Sequence, residues 1–188
     1  MTAPKEFAAN FAPYSVPREL EKLLAFQEGG AGFGQFSEGF GLLRDDKGGL
    51  KSWSADPAFP SRLLPFASAN GSGSFYALWA DGKSEVSSSF PVIAFGDEGG
   101  VHFVAEDVRG LLRILAFDAE ARIDLGGVDY YNDEGRHTDH HDAYVQWLSE
   151  LGLEPAKDPA AIVDAAQAKH KVAFDAWFAN YYQERVIA

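Results

Sequence analysis

The segment SFYALWADGKSEVSSSFPVIAFGDEGGVHFV, residues 74–104, decides the fold because it contains three apolar runs separated by turn signals. In residues 74–80, large apolar side chains fall on both sides of an extended chain, which is typical of a strand covered on both faces. Residues 90–95 and 101–104 form the other two runs, and the loop between them has the Gly and Asp content of a hairpin. The segment therefore predicts three adjacent antiparallel strands.

Helical patterns lie on both sides of this strand region. One amphipathic stretch begins at Pro17, and another covers residues 106–117, with acidic residues in its first turn. Two more stretches follow, one capped at Thr138 or Asp139 and a longer one that begins at Pro159. Strands clustered between helices indicate an α+β fold with a central, mostly antiparallel sheet flanked by N-terminal and C-terminal helices.

Length and composition fit one compact domain with a full hydrophobic core. The chain has 188 residues, of which 46% are hydrophobic, and these include 15 Phe and 4 Trp. A chain of this size buries roughly 70% of its unfolded surface. We expect residues 1–14 to form a flexible arm and residues 15–188 to form a single domain. Within that domain, a C-terminal helical elaboration is expected from about residue 118.

Charge and residue usage argue against several classes of function. The chain has 28 acidic and 16 basic residues, a net charge of −12, which disfavours a broad surface for nucleic-acid phosphates. It contains no cysteine, and therefore no disulfide or thiolate metal site. Neither a signal-peptide pattern nor an apolar run of membrane-spanning length is present. We expect a cytoplasmic protein that binds neither nucleic acids nor membranes.

The central block resembles a known family. The matching motifs are LPFASANGSGSFYALW at residues 64–79, PVIAFGDEG at residues 91–99 and LLRIL at residues 111–115. They are similar to motifs of the SUKH superfamily, which is named for a yeast regulator of cell-wall synthesis and is abundant in bacteria. The resemblance implies an α+β sheet flanked by helices and no catalytic motif. It also implies the role of the bacterial members, which are immunity proteins that neutralise toxins, often nucleases.

Acidic residues beside tyrosines predict a surface for a basic protein partner. The candidate partner-binding residues are Asp97, Glu98, Asp129, Tyr130, Tyr131, Asp133 and Glu134. Tyrosine supplies contact area in interfaces, and carboxylates accelerate encounter with lysine and arginine. Solvated loop acids are the alternative explanation of each acidic cluster. We expect a non-catalytic protein-binding domain whose partner is a cognate toxin, or another basic protein.

Two other functions stay open on the sequence alone. His137, His140 and His141 lie close together beside Asp139 and Asp142, and a metal-dependent hydrolase is one use of such a cluster. No HExxH frame accompanies these histidines, so we expect no metal, no cofactor and no catalytic residues. A regulatory interaction scaffold, closer to the role of the yeast protein, is the second alternative.

Overall fold

The computed structural model describes residues 4–44, 47–132 and 135–182, which form five α-helices and seven β-strands. The helices are α1 (Pro4–Ala9), α2 (Arg18–Glu28), α3 (Val108–Leu115), α4 (His141–Glu150) and α5 (Pro159–Phe178). The strands are β1 (Gly41–Leu42), β2 (Leu63–Ser68), β3 (Phe75–Trp79), β4 (Val92–Phe95), β5 (Val101–Ala105), β6 (Ala121–Ile123) and β7 (Val128–Tyr130). This arrangement confirms the predicted α+β class. None of the described helices is long and apolar enough to cross a membrane.

A five-stranded antiparallel sheet with strand order β1-β2-β3-β4-β5 forms the centre of the fold. The three strands predicted from residues 74–104 are β3, β4 and β5, and they are adjacent as expected. Strand β2 was not predicted. It contains Pro65, which has no N–H for a sheet ladder, and its register shifts between Pro65 and Ala67. Because of this proline, the sequence pattern did not indicate that β2 is an internal strand of the sheet.

Both faces of the sheet are covered, and alternate residues of β3 enter two different cores. Tyr76 and Leu78 pack in the core formed with helices α2, α3 and α4. Ala77 and Trp79 pack in the second core, which lies under helix α5. There the rings of Trp79 and Phe174 meet edge to face, with centroids 5.2 Å apart. The two-sided burial predicted for this strand is confirmed.

Residues 4–14 do not match the expectation of a flexible arm. They contain helix α1, and the side chains of Phe7 and Phe11 are 1% and 0% exposed. The amide of Asn10 donates a hydrogen bond of 2.8 Å to the Leu43 carbonyl. A six-residue helix carries little periodic signal, so the sequence pattern did not reveal that Phe7 within the helix and Phe11 after it complete the core.

The region after residue 118 packs into the domain. Strands β6 and β7 form an antiparallel hairpin in the region where only a helical elaboration is expected from the sequence. Helix α4 begins after His140, whose side chain makes no capping hydrogen bond, so the predicted cap at Thr138 or Asp139 is wrong. Helix α5 does begin as expected, because the Asp158 side chain accepts a hydrogen bond from the Ala160 N–H.

Candidate functional site

An open groove of about 970 Å³ lies where the β6–β7 hairpin faces two turns of the main sheet. Residues 70–72, in the connection between β2 and β3, line one part of it. Asp97 and Glu98, in the β4–β5 turn, line another part, and residues 120–124 and 126–129 complete the wall. The groove is therefore assembled from three chain segments that are distant in sequence.

The groove is lined by five carboxylates and one guanidinium. These groups are Asp97, Glu98, Glu120, Asp124, Asp129 and Arg122. The structure thus brings the neighbouring acids Asp97 and Glu98 together with Asp129, and all three are among the predicted partner-binding residues. It adds two acids that were missed, and the Asp124-Leu125-Gly126-Gly127 turn was the signal that could have found this hairpin.

Hydrogen bonds hold the Asp97 carboxylate in place. Its Oδ1 atom accepts from the hydroxyls of Ser74 and Ser72, the latter at 2.9 Å. The bond from Ser74, assisted by the bond from Ser72, lowers the pKa of Asp97. Asn70 orders the same turn, because its side-chain oxygen accepts from the backbone N–H groups of residues 72–74. The loop that carries the Gly-Ser-Gly motif therefore fixes a charged carboxylate at the groove.

The other groove acids are also held by named contacts. Glu120 accepts a hydrogen bond from the backbone N–H of Gly71, which ties the hairpin to the Gly-Ser-Gly loop. Asp129 and Arg122 form a bidentate pair across the hairpin, with N–O distances of 2.9 and 3.0 Å. Because one guanidinium faces five carboxylates, the groove keeps a net negative charge.

The two tyrosines of the predicted binding loop have different environments. Tyr131 is 63% exposed, and the Arg122 guanidinium lies 5.6 Å from its ring centroid. Tyr130 is only partly exposed, and its hydroxyl lies 2.8 Å from the Tyr76 hydroxyl. Burial raises the pKa of Tyr130.

Tyr131 therefore lies at the surface, whereas Tyr130 anchors the hairpin to the core. A sequence pattern could not separate the two neighbouring rings, because their directions depend on the pleat of β7. The remaining predicted residues, Asp133 and Glu134, lie outside the described residues.

A second polar cluster lies between the end of α3 and the start of α4. Asp118, His137 and His141 each offer a metal-ligand atom, and these atoms all lie within 4.8 Å of one another. Two of the three histidines singled out in the sequence are thus brought together, and His140 does not belong to the group. Asp118 was missed because it is distant in sequence and approaches the histidines only through the packing of α3 and α4.

No family model, no curated protein and no solved structure matches this chain significantly. The similarity to the SUKH superfamily therefore stays a prediction from the motifs at residues 64–79, 91–99 and 111–115.

Proposed function

We propose that this chain is a non-catalytic binding domain whose acidic groove receives a basic surface of a partner protein. The observation that carries the proposal is that Asp129 meets the adjacent pair Asp97 and Glu98, which lies in a distant segment of the chain, around one groove. Glu120 and Asp124 line the same groove and strengthen its negative potential. Clustered carboxylates of this kind favour encounter with lysine and arginine.

Exposed apolar side chains beside the groove supply the second element of a binding surface. Leu125, at the tip of the β6–β7 hairpin, is 80% exposed, and Tyr131, just after β7, is 63% exposed. Large side chains that become buried at an interface contribute most of the affinity, whereas rim charges mainly set the association rate. We therefore assign steering to the carboxylates and the retention of the partner to Leu125 and Tyr131.

The partner we propose is a cognate toxin of the kind that SUKH-type immunity proteins neutralise. A toxin that acts on nucleic acid must hold phosphates with lysine and arginine, and an acidic groove complements such a surface. Neutralisation would then follow from occlusion and would require no chemistry in this chain. The sequence resemblance supports this partner class, and the net charge of −12 agrees with it.

Reversing one groove charge tests the proposal. Glu98→Lys changes an exposed acid of the groove, and Glu150→Lys makes the same charge change at the exposed end of α4, outside the groove. Each tagged variant is incubated with a lysate of the source cells, and the retained proteins are identified and quantified. We expect a basic protein retained by the wild type and by Glu150→Lys, but depleted by about tenfold or more on Glu98→Lys.

The identified partner is then produced alone, and its toxicity is assayed with and without each variant. Wild type and Glu150→Lys should protect, and Glu98→Lys should protect less. Equal retention of the partner by all three proteins would contradict a role for the groove.

A further inference from the structure

We propose that Asp118, His137 and His141 form a binding site for a divalent transition-metal ion, with Zn²⁺ as the best match. Two imidazoles and one carboxylate are a common ligand set for zinc, whereas calcium and magnesium prefer oxygen ligands alone. The ligand atoms of the three side chains lie within 4.8 Å of one another. This site is separate from the acidic groove, and the inference does not rest on the proposed protein-binding function.

His141 has the hydrogen-bonding arrangement of a metal-binding histidine. The side chain is buried, and its Nε2 atom lies 3.0 Å from the Ala116 carbonyl, which can only accept a hydrogen bond. Nε2 therefore carries the proton, and Nδ1 presents a lone pair in the neutral ring. This buried Nδ1 has no hydrogen-bond partner. In metal-bound histidines, the N–H of the second ring nitrogen commonly donates a hydrogen bond to a backbone carbonyl, as Nε2 of His141 does.

Asp118 supplies a fixed negative charge at the same place. Its side chain is 1% exposed, and its oxygens accept from the backbone N–H groups of Glu38 at 2.9 Å and Thr138 at 2.6 Å. These bonds fix the orientation of the Asp118 carboxylate in the folded chain. The exposed Asp142 carboxylate, 3.6 Å from Nδ1 of His141, adds negative potential beyond hydrogen-bond range.

The third ligand, His137, is already at a suitable distance from Asp118. Its Nδ1 atom lies 3.3 Å from Oδ2 of Asp118. Two ligands bound tetrahedrally to zinc, at roughly 2.0–2.1 Å each, are separated by about 3.3 Å.

One rearrangement is required before the three side chains can share an ion. The rings of His137 and His141 are stacked, with centroids 3.8 Å apart and planes 6° from parallel, so one ion cannot lie in both planes. The His137 side chain is 48% exposed, and its ring can turn toward the ion without disturbing the core. A tetrahedral ion held by these three ligands keeps its fourth position for water.

Metal titration of the purified, metal-free protein tests the site. Zn²⁺ is titrated calorimetrically into wild type, His137→Ala and the matched control His140→Ala, a neighbouring histidine outside the cluster. We expect one ion per chain in the wild type and in His140→Ala. Loss of an outer-shell partner already weakens metal binding by roughly 10- to 100-fold, so removal of the ligand His137 should weaken it by about 100-fold or more.

Two further readouts separate a built site from loose surface binding. Bound Co²⁺ should give the intense visible absorption of tetrahedral coordination in the wild type and lose it in His137→Ala. Zn²⁺ should raise the unfolding temperature of the wild type and of His140→Ala, and leave that of His137→Ala unchanged. The assignment is overturned if the wild type binds no zinc at micromolar concentration, or if His137→Ala binds it as tightly.

Discussion

Replacing Phe11 by alanine tests whether the N-terminal segment is part of the core. Phe11 is 0% exposed, and its ring lies 5.2 Å from Phe7 and 6.4 Å from Phe66 of the central sheet. Truncation of a fully buried phenylalanine costs about 3–5 kcal/mol, because apolar transfer free energy is lost and a cavity is left. We expect Phe11→Ala to lower the free energy of unfolding by that amount. This is a large share of the roughly 5–15 kcal/mol that holds an ordinary domain folded.

Phe33→Ala is the matched control, since Phe33 is 56% exposed in the folded chain. Less than half of its surface is removed from water on folding, so we expect a loss of about 2 kcal/mol or less. Equilibrium unfolding in urea, followed by tryptophan fluorescence, measures both losses on the same scale. Equal losses, or a loss below about 1 kcal/mol for Phe11→Ala, would refute the packing of residues 4–14 against the sheet.

Two further changes test polar groups inside the fold. Tyr130→Phe leaves the buried Tyr76 hydroxyl without its partner, so urea unfolding should show a loss of about 1–3 kcal/mol, and an unchanged stability would contradict this role of the hydrogen bond. Burial, together with nearby Lys169, lowers the pKa of His170 in the folded protein below its ordinary value of 6.5. The unfolded chain therefore takes up a proton at His170 more readily than the folded chain does. The stability contributed by neutral His170 is present above pH 6.5 and is lost as the pH falls through the lower folded-state pKa. His170→Leu should therefore lose less stability than the wild type between about pH 7.5 and about pH 5.5, and equal losses would contradict this explanation.

Strands β3, β4 and β5 were predictable because their residue types and the turn residues between them are enough to specify adjacent antiparallel strands. In β3, large apolar residues occupy both faces of an extended segment, and the turn after β4 supplies the glycines that a hairpin needs. Strand β2 and helix α1 were not predictable in this way. Pro65 interrupts the first, and the second is too short to show a period, so both depend on contacts made in the folded chain.

The candidate sites were predictable only in part. Asp97, Glu98 and Asp129 stood out as acids, but their meeting in one groove depends on where the β6–β7 hairpin packs. Asp118 gave no signal, because nothing in its neighbourhood along the chain indicates that it lies beside His137. Residue type therefore identified the candidates, and tertiary packing decided which of them act together.

Hydrogen–deuterium exchange on the complex with the co-purified basic partner shows whether the partner occupies the acidic groove. The exchange of backbone amides is compared between the free protein and the complex. Protection on binding should concentrate in residues 70–72, 97–98 and 120–131, which form the acidic groove and its apolar rim. Protection confined to helix α5, which covers the second core, with no change around the groove, would show that the partner binds elsewhere and would overturn the proposed role of the groove.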